Sequence, residues 1–167
     1  YYTTWAHQIK TPIAAMRLNL KNEDSPLSRR LLSDLMRVER YAEMAMAYLR
    51  VESPSTDYLL RRLCIDDAVK RAVRPFAGEF IARRLKLNYE ETGLSAVSDE
   101  KWLVFVLEQI LSNALKYTPE GGIHIYRSAP NTLTIQDTGI GIAPEDLPRV
   151  FEKGYTGLNG RSDLKAS

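Results

Sequence analysis

Three short stretches of this 167-residue chain hold side chains whose types and spacing could do chemistry. The first is Ala6 to Pro12, AHQIKTP. His7 is a nucleophile and proton carrier near neutral pH, with the Gln8 amide beside it and Thr11 one helical turn further on. The second is LEQILSNALKYTP, which places Asn113, Lys116 and Tyr117 within about one helical turn. Asn113 offers a neutral oxygen suited to a magnesium ion that keeps water and phosphate oxygens in its shell, and Lys116 can meet a phosphate as a point charge. The third is QDTGIGI, in which Asp137 can accept a hydrogen bond from an exocyclic purine amine. Gly139 and Gly141 permit torsions and approaches that a side chain would forbid. Taken singly, each stretch also has a plain reading: a surface histidine beside a proline, a polar helix face, and a turn.

The elements that must position these groups follow from periodicity. Trp5, Ile9, Ile13, Met16 and Leu20 recur at helical spacing and form one stripe, so a first helix is predicted from about Tyr1 to Lys21. His7 falls about 160° from the centre of that stripe, and Thr11 shares its side. Pro12 deprives the Gln8 carbonyl of its helical donor, which predicts a loosened or kinked helix just past the histidine. Ser25 is placed to cap a second helix from about Pro26 to Val51, with Leu31, Leu35, Val38, Ala42, Ala45 and Leu49 as its stripe. Two such helices joined by a short turn make an antiparallel hairpin. A unit of about 55 residues buries too little by itself, so two hairpins are expected to pair as a four-helix bundle in a homodimer.

Residues 1–52 therefore read as one domain, Glu52 to Asp57 (ESPSTD) as the end of that domain and a 53–57 linker, and 58–167 as a second domain. In the second domain a strand is predicted from Tyr58 to Ile65 and a helix from Asp66 to about Arg84, with Ala68, Val69, Ala72, Val73, Phe76, Phe80 and Ile81 buried. Strands follow at Leu85–Glu90 and Leu94–Val97, a long helix at Asp99–Tyr117, and a hairpin of Ile123–Tyr126 with Thr132–Gln136. Two helices on one face of a largely antiparallel sheet give an α+β sandwich.

Composition narrows the function. With 44% apolar and 26% charged residues the chain is globular, and its net charge of +2 comes from interspersed residues, which gives no case for nucleic-acid binding. The single cysteine, Cys64, allows no internal disulfide and reads as buried filler. No apolar run has the roughly 18 residues of a membrane helix. His124, alternating with Ile123 and Ile125, is expected to face solvent, and Trp5 and Trp102 to join the core.

The first stretch resembles the phosphoacceptor box of bacterial sensor histidine kinases. The second and third resemble, in order and spacing, the asparagine box (Asn113 to Tyr117) and first glycine box (Asp137 to Ile142) of the same family's ATP-binding domain. FEKGYTG at Phe151 to Gly157 resembles its phenylalanine box. The likeness covers nearly the whole chain and leans toward Gram-positive kinases with a short membrane-sensing region linked to antimicrobial-peptide transporters. It implies a Bergerat-type α/β sandwich after the hairpin, ATP and Mg2+ as cofactors, with the metal at Asn113, and nucleotide contacts from Asn113, Lys116, Tyr117, Asp137, Gly139, Gly141, Ile142 and Phe151. It implies autophosphorylation of His7, with Gln8 and Thr11 as further catalytic positions, and transfer to the receiver domain of a response regulator. Attachment to the cytoplasmic face of the bacterial membrane would come through an N-terminal region that precedes Tyr1. A second glycine box is expected after Lys165, so the ATP domain reads as C-terminally incomplete.

Two positions depart from the family pattern. Gln8 stands where an acid usually follows the histidine, so the amide can hold the ring but cannot carry its proton away. Gln109 stands where an asparagine often precedes Asn113 by one turn; in gyrase-like or chaperone-like ATPases a glutamate at that place activates water. A water-hydrolysing ATPase and a binding-only scaffold remain as rival readings of the sequence.

Overall fold

The computed structural model describes residues 2–51, 58–152 and 155; side chains at 2–7, 40 and 47–51 fall outside that description. The chain divides into two compact units, Tyr1–Tyr58 and Leu59–Ser167.

The first unit is a hairpin of α1 (Tyr2–Lys21) and α2 (Pro26–Val51). Between them Ser25 and Ser28 form a reciprocal capping box: each backbone N–H donates to the other's hydroxyl at 3.0 Å. Pro26 opens α2 at a position whose N–H would have no helical acceptor. Helix α1 runs on through Pro12. Lys10 pairs with Glu43 at 2.8 Å and Arg17 with Glu39 at 3.3 Å, tying the two helices along an exposed edge.

The apolar stripe of α2 does two different jobs. Ser28, Leu35 and Met46 are buried with Ile13 of α1. Leu31, Val38 and Ala45, seven residues apart, are exposed, as is Met16 of α1. A broad stripe holds two seams offset by about 40°, and only one of them faces the partner helix. The stripe expected from sequence is thus split: the hairpin itself buries Leu35 and leaves Leu31, Val38 and Ala45 exposed.

The second unit begins with β1 (Leu60–Cys64) and α3 (Ile65–Val73). The single helix expected to about Arg84 is broken: a 3-10 turn at Arg74–Phe76 separates α3 from α4 (Ala77–Arg83). Pro75 has no N–H to extend α3, so the chain tightens there and re-aims. The re-aiming buries Phe76 and Phe80 but leaves Ile81 at 79% exposure, against expectation. Arg84 ends α4 in the left-handed conformation at φ 55°. Strands β2 (Lys86–Tyr89) and β3 (Ser95–Asp99) lead to α5 (Glu100–Tyr117), then β4 (Gly122–Ala129) and β5 (Thr132–Asp137).

Among the described residues there are two small sheets. β1 pairs antiparallel with β3, and β4 lies between β2 and β5. β4 and β5 are antiparallel, while β2 and β4 run parallel, from Lys86 opposite Gly122 to Tyr89 opposite Ile125. A largely antiparallel sheet is thus right for two of the three pairings. Ile123 and Ile125 of β4 pack into a core with Leu107, Leu111 and Leu115 of α5 and Ala68, Val69, Ala72, Phe76 and Phe80 of the preceding helices. His124 and Tyr126 alternate with them onto the other face, half-buried. Cys64 is exposed and Trp102 half-buried, so neither is the core residue expected.

Two carboxylates pin the loops of this unit. Asp66, buried in the first turn of α3, accepts four hydrogen bonds, from the Tyr89 hydroxyl, the Thr92 N–H and hydroxyl, and the Gly93 N–H. Burial pushes its carboxyl up, but the donors from Tyr89, Thr92 and Gly93 outweigh burial and hold it below its ordinary value. Burial and Asp66 together push the Tyr89 hydroxyl up. Asp99 caps α5 through Lys101 and Trp102 and also accepts the Leu59 N–H at 2.9 Å. The Leu59 donor leads in lowering its carboxyl, against burial. Both groups are depressed in the folded state, so their contribution is complete above the unfolded value of about 4 and is lost as pH falls through the folded value. Thermal unfolding is therefore expected to shift down steeply below about pH 4. Asp66→Asn should cost about 1–3 kcal/mol at neutral pH and flatten that acid slope. Parallel slopes for the variant and the parent chain would show that Asp66 is not responsible.

Candidate functional site

The end of α5 and the loop after β5 meet through the backbone. α5 carries Gln109, Asn113, Lys116 and Tyr117; it stops because Thr118 precedes Pro119 and is held extended at φ −105°, ψ 97°. The Ile140 N–H donates to the Tyr117 carbonyl at 3.0 Å. The contact is close enough that a Cβ at Gly139 would lie 2.9 Å from the Tyr117 carbonyl carbon and 2.7 Å from Asp137 Oδ1. Gly139 is thus required by a close approach, while Gly141 is required by its torsion, φ +70°, with open space beside it.

Asp137 is oriented by this loop: its Oδ1 accepts the Gly139 N–H at 2.9 Å, and among the described residues its Oδ2 accepts nothing. Asn113 is exposed one turn before Tyr117, and its side chain makes no hydrogen bond among the described residues. Lys116 is exposed, with its ammonium 4.8 Å from the centre of the Tyr117 ring. Ile142 is 55% exposed on the same loop. The arrangement leaves an amide oxygen, an ammonium, a carboxylate oxygen and two glycines on α5 and the loop it touches. That set suits a purine nucleotide: an acceptor for its amine, a neutral oxygen for a hard cation and a cation for phosphate.

Other predicted residues stand apart. Phe151 is 98% exposed and is not brought against the loop; of its box, Gly154 and Gly157 lie outside the described residues. Gln8 and Thr11 are exposed on α1, and His7 lies in the same helix, its side chain outside the described part. The Glu52–Asp57 linker also lies outside it.

Some residues of the site were not singled out in the sequence. The Thr138 hydroxyl accepts the Gly122 N–H at 3.0 Å and donates to the Glu120 carbonyl at 3.0 Å, locking the loop to the start of β4. Gly121, at φ +93°, leaves room for it, while Gly122 leaves room for the Lys86 carbonyl of β2, and the Gly-Gly pair was the available signal. Arg83, at the end of α4, donates to the carbonyls of Leu115 and Thr118; nothing in its sequence neighbourhood signals this.

Residues 98–166 match the model of the histidine kinase-, DNA gyrase B- and HSP90-like ATPase family. The chain is 36% identical over 176 residues to the sensor histidine kinase GraS of Staphylococcus haemolyticus, covering 99% of this chain and 49% of that protein. It is 30% identical over 156 residues to the sensor protein BceS of Halalkalibacterium halodurans, covering 91% of this chain and 47% of the relative. Over nearly its whole length the chain is thus similar to sensor histidine kinases. It spans about half the length of the curated relatives it matches.

Among solved structures, full-length ShkA in complex with AMPPNP aligns at a TM-score of 0.59 and 20% identity, over 87% of this chain and 34% of that structure. Acinetobacter baumannii AdeS aligns at 0.54 and 20%, over 86% and 78%. These likenesses establish the fold. The family match at 98–166 spans both the α5 end and the DTGIGI loop, and Gly139 lets the two approach closely. No described helix is long and apolar enough to cross a membrane.

Proposed function

We propose that this chain is the catalytic core of a membrane-attached sensor kinase that phosphorylates its own His7 from ATP and passes the phosphoryl group to an aspartate of a response regulator. The observation that carries the reading is the junction of the asparagine helix with the DTGIGI loop, Tyr117 to Ile140 at 3.0 Å. About two turns earlier on α5 stands Gln109, which cannot take a proton from water and so argues for transfer to a protein acceptor over hydrolysis.

In this reading Asp137 Oδ2 accepts the adenine amine, Gly141 and Ile142 line the base, and Lys116 and Tyr117 flank the phosphates. Phe151 belongs to the segment that closes over the nucleotide. A magnesium ion would be held by the Asn113 oxygen together with phosphate and water. A ring nitrogen of His7 attacks the γ-phosphorus: an N–P bond forms, the bond to the bridging oxygen breaks, ADP leaves, and the ring proton passes to solvent because Gln8 cannot accept it. The Glu52–Asp57 segment, polar and proline-containing, is read as the linker that lets the nucleotide unit reach His7.

The exposed seam of Leu31, Val38 and Ala45, with Met16, supports a homodimer in which a second hairpin covers it. The assay that tests the function is incubation with γ-labelled ATP: the chain should acquire phosphate that is labile in acid and stable in base. Absence of any such label would overturn the reading in favour of a binding-only scaffold.

Thr11, exposed one turn from His7 in α1, would position the water that removes phosphate from the regulator. Thr11→Ala is expected to lower dephosphorylation of a cognate phosphorylated regulator by about tenfold or more while self-labelling stays within about twofold, since a lost positioning contact acts only where it is made. Equal loss of both activities would refute the division of labour.

A further inference from the structure

The last turn of α5 ends without the left-handed glycine that commonly closes a helix, so its terminal carbonyls must find donors elsewhere. Ala114 is satisfied by the Thr118 hydroxyl at 2.6 Å, and Tyr117 by Ile140 of the nucleotide loop at 3.0 Å. Leu115 accepts the Thr118 N–H at 3.4 Å and also one Arg83 nitrogen, and the Thr118 carbonyl accepts from the other at 2.6 Å. Arg83 comes from α4, where Glu79 pairs with it at 3.6 Å, and its side chain is only 31% exposed. Its guanidinium thus brackets Lys116 and Tyr117 from both sides. A planar fork fixes two acceptors at one spacing, which a single ammonium cannot do. The positive charge also suits the negative end of the helix.

We propose that Arg83 is a positioning residue of the nucleotide site: by clamping the carbonyls on either side of Lys116 and Tyr117, it sets the turn to which the DTGIGI loop is docked. This rests on the reading of α5 and that loop as the ATP-binding elements. If the clamp loosens, the Tyr117 carbonyl swings and carries Ile140, and with it the neighbouring Gly139 and Asp137, out of register with the base. A shift of about 1 Å at a binding group is enough for a large loss of affinity.

The test compares the 167-residue chain with Arg83→Lys and Arg83→Met, reading the dissociation constant for ADP by calorimetry and the thermal unfolding midpoint of the nucleotide-free protein. Arg83→Lys keeps a cation at the helix end, so its midpoint should stay close to that of the parent, while ADP binding weakens about tenfold. Arg83→Met should lose the same affinity and also unfold earlier. If Arg83→Met does not fold, the lysine variant alone decides. ADP binding by Arg83→Lys equal to the parent's would overturn the proposal, as would a loss of affinity that merely follows a loss of stability. Failure of the parent chain itself to bind ADP is a separate result, which would remove the nucleotide reading and this inference with it.

Discussion

Chain carrying His7→Gln is expected to take up no acid-labile phosphate from γ-labelled ATP under conditions in which the parent chain labels. Glutamine keeps much of the size and polarity of histidine but offers no basic ring nitrogen, so no N–P bond can form at that position. The chain has two histidines, and the other cannot readily substitute. His124 sits half-buried on β4, its Nε2 2.8 Å from Glu90 Oε1 and its ring centre 4.6 Å from that of Tyr126 at a tilt of 34°. The control is ADP binding, which should be unchanged in His7→Gln because that residue lies in the other unit of the chain. Persistent acid-labile labelling of His7→Gln, or its disappearance in His124→Gln, would move the acceptor elsewhere.

Gly139→Ala should produce the largest loss at the nucleotide site itself. The added Cβ would lie 2.9 Å from the Tyr117 carbonyl carbon, closer still to its oxygen, and 2.7 Å from the Asp137 carboxylate that orients the loop. Backbone of a helix end cannot retreat as a flexible side chain can, so the loop must withdraw and the Ile140 to Tyr117 hydrogen bond must stretch or break. Overpacking of this kind costs about 1–3 kcal/mol of stability. The displaced Asp137 and Gly141 should weaken ADP binding by about a hundredfold. Gly78→Ala is the matched control: it lies within α4 with nothing inside 4 Å of the new methyl and should be neutral or stabilising by about 0.5–1 kcal/mol. Calorimetry and thermal unfolding on the two variants separate the cases; parent-like ADP affinity in Gly139→Ala would mean that the close approach does not position the site.

Much of this molecule was legible in its residues. Local signals that need no distant partner carried over directly: the apolar spacing of α1 and α2, the Ser25 cap with Pro26 behind it, Asp99 at the start of α5, and the alternation of Ile123, His124 and Ile125 in β4. Each is settled by interactions within about one turn or across one strand, where residue type and spacing nearly determine the energy. Asn113, Lys116, Tyr117, Asp137 and the two glycines, by contrast, were grouped only through the resemblance of their order and spacing to the ATP-binding domain of sensor histidine kinases.

What the residues could not determine is which neighbour each face would meet. The stripe of α2 says that Leu31, Leu35 and Val38 are apolar; only packing against α1 decides that Leu35 is buried within the hairpin while Leu31 and Val38 stay exposed. Pro75 was visible, but whether it would end a helix or merely bend it depended on where Phe76 and Phe80 could be buried. The parallel pairing of β2 with β4 joins strands separated by β3 and α5, a choice of topology that alternation does not encode. Arg83 and Leu115 are 32 residues apart, and Gly139 meets a carbonyl 22 residues before it. The acceptors in both contacts are backbone carbonyls common to every residue, so the partner leaves no signature in side-chain type, and only the folded chain brings the two together.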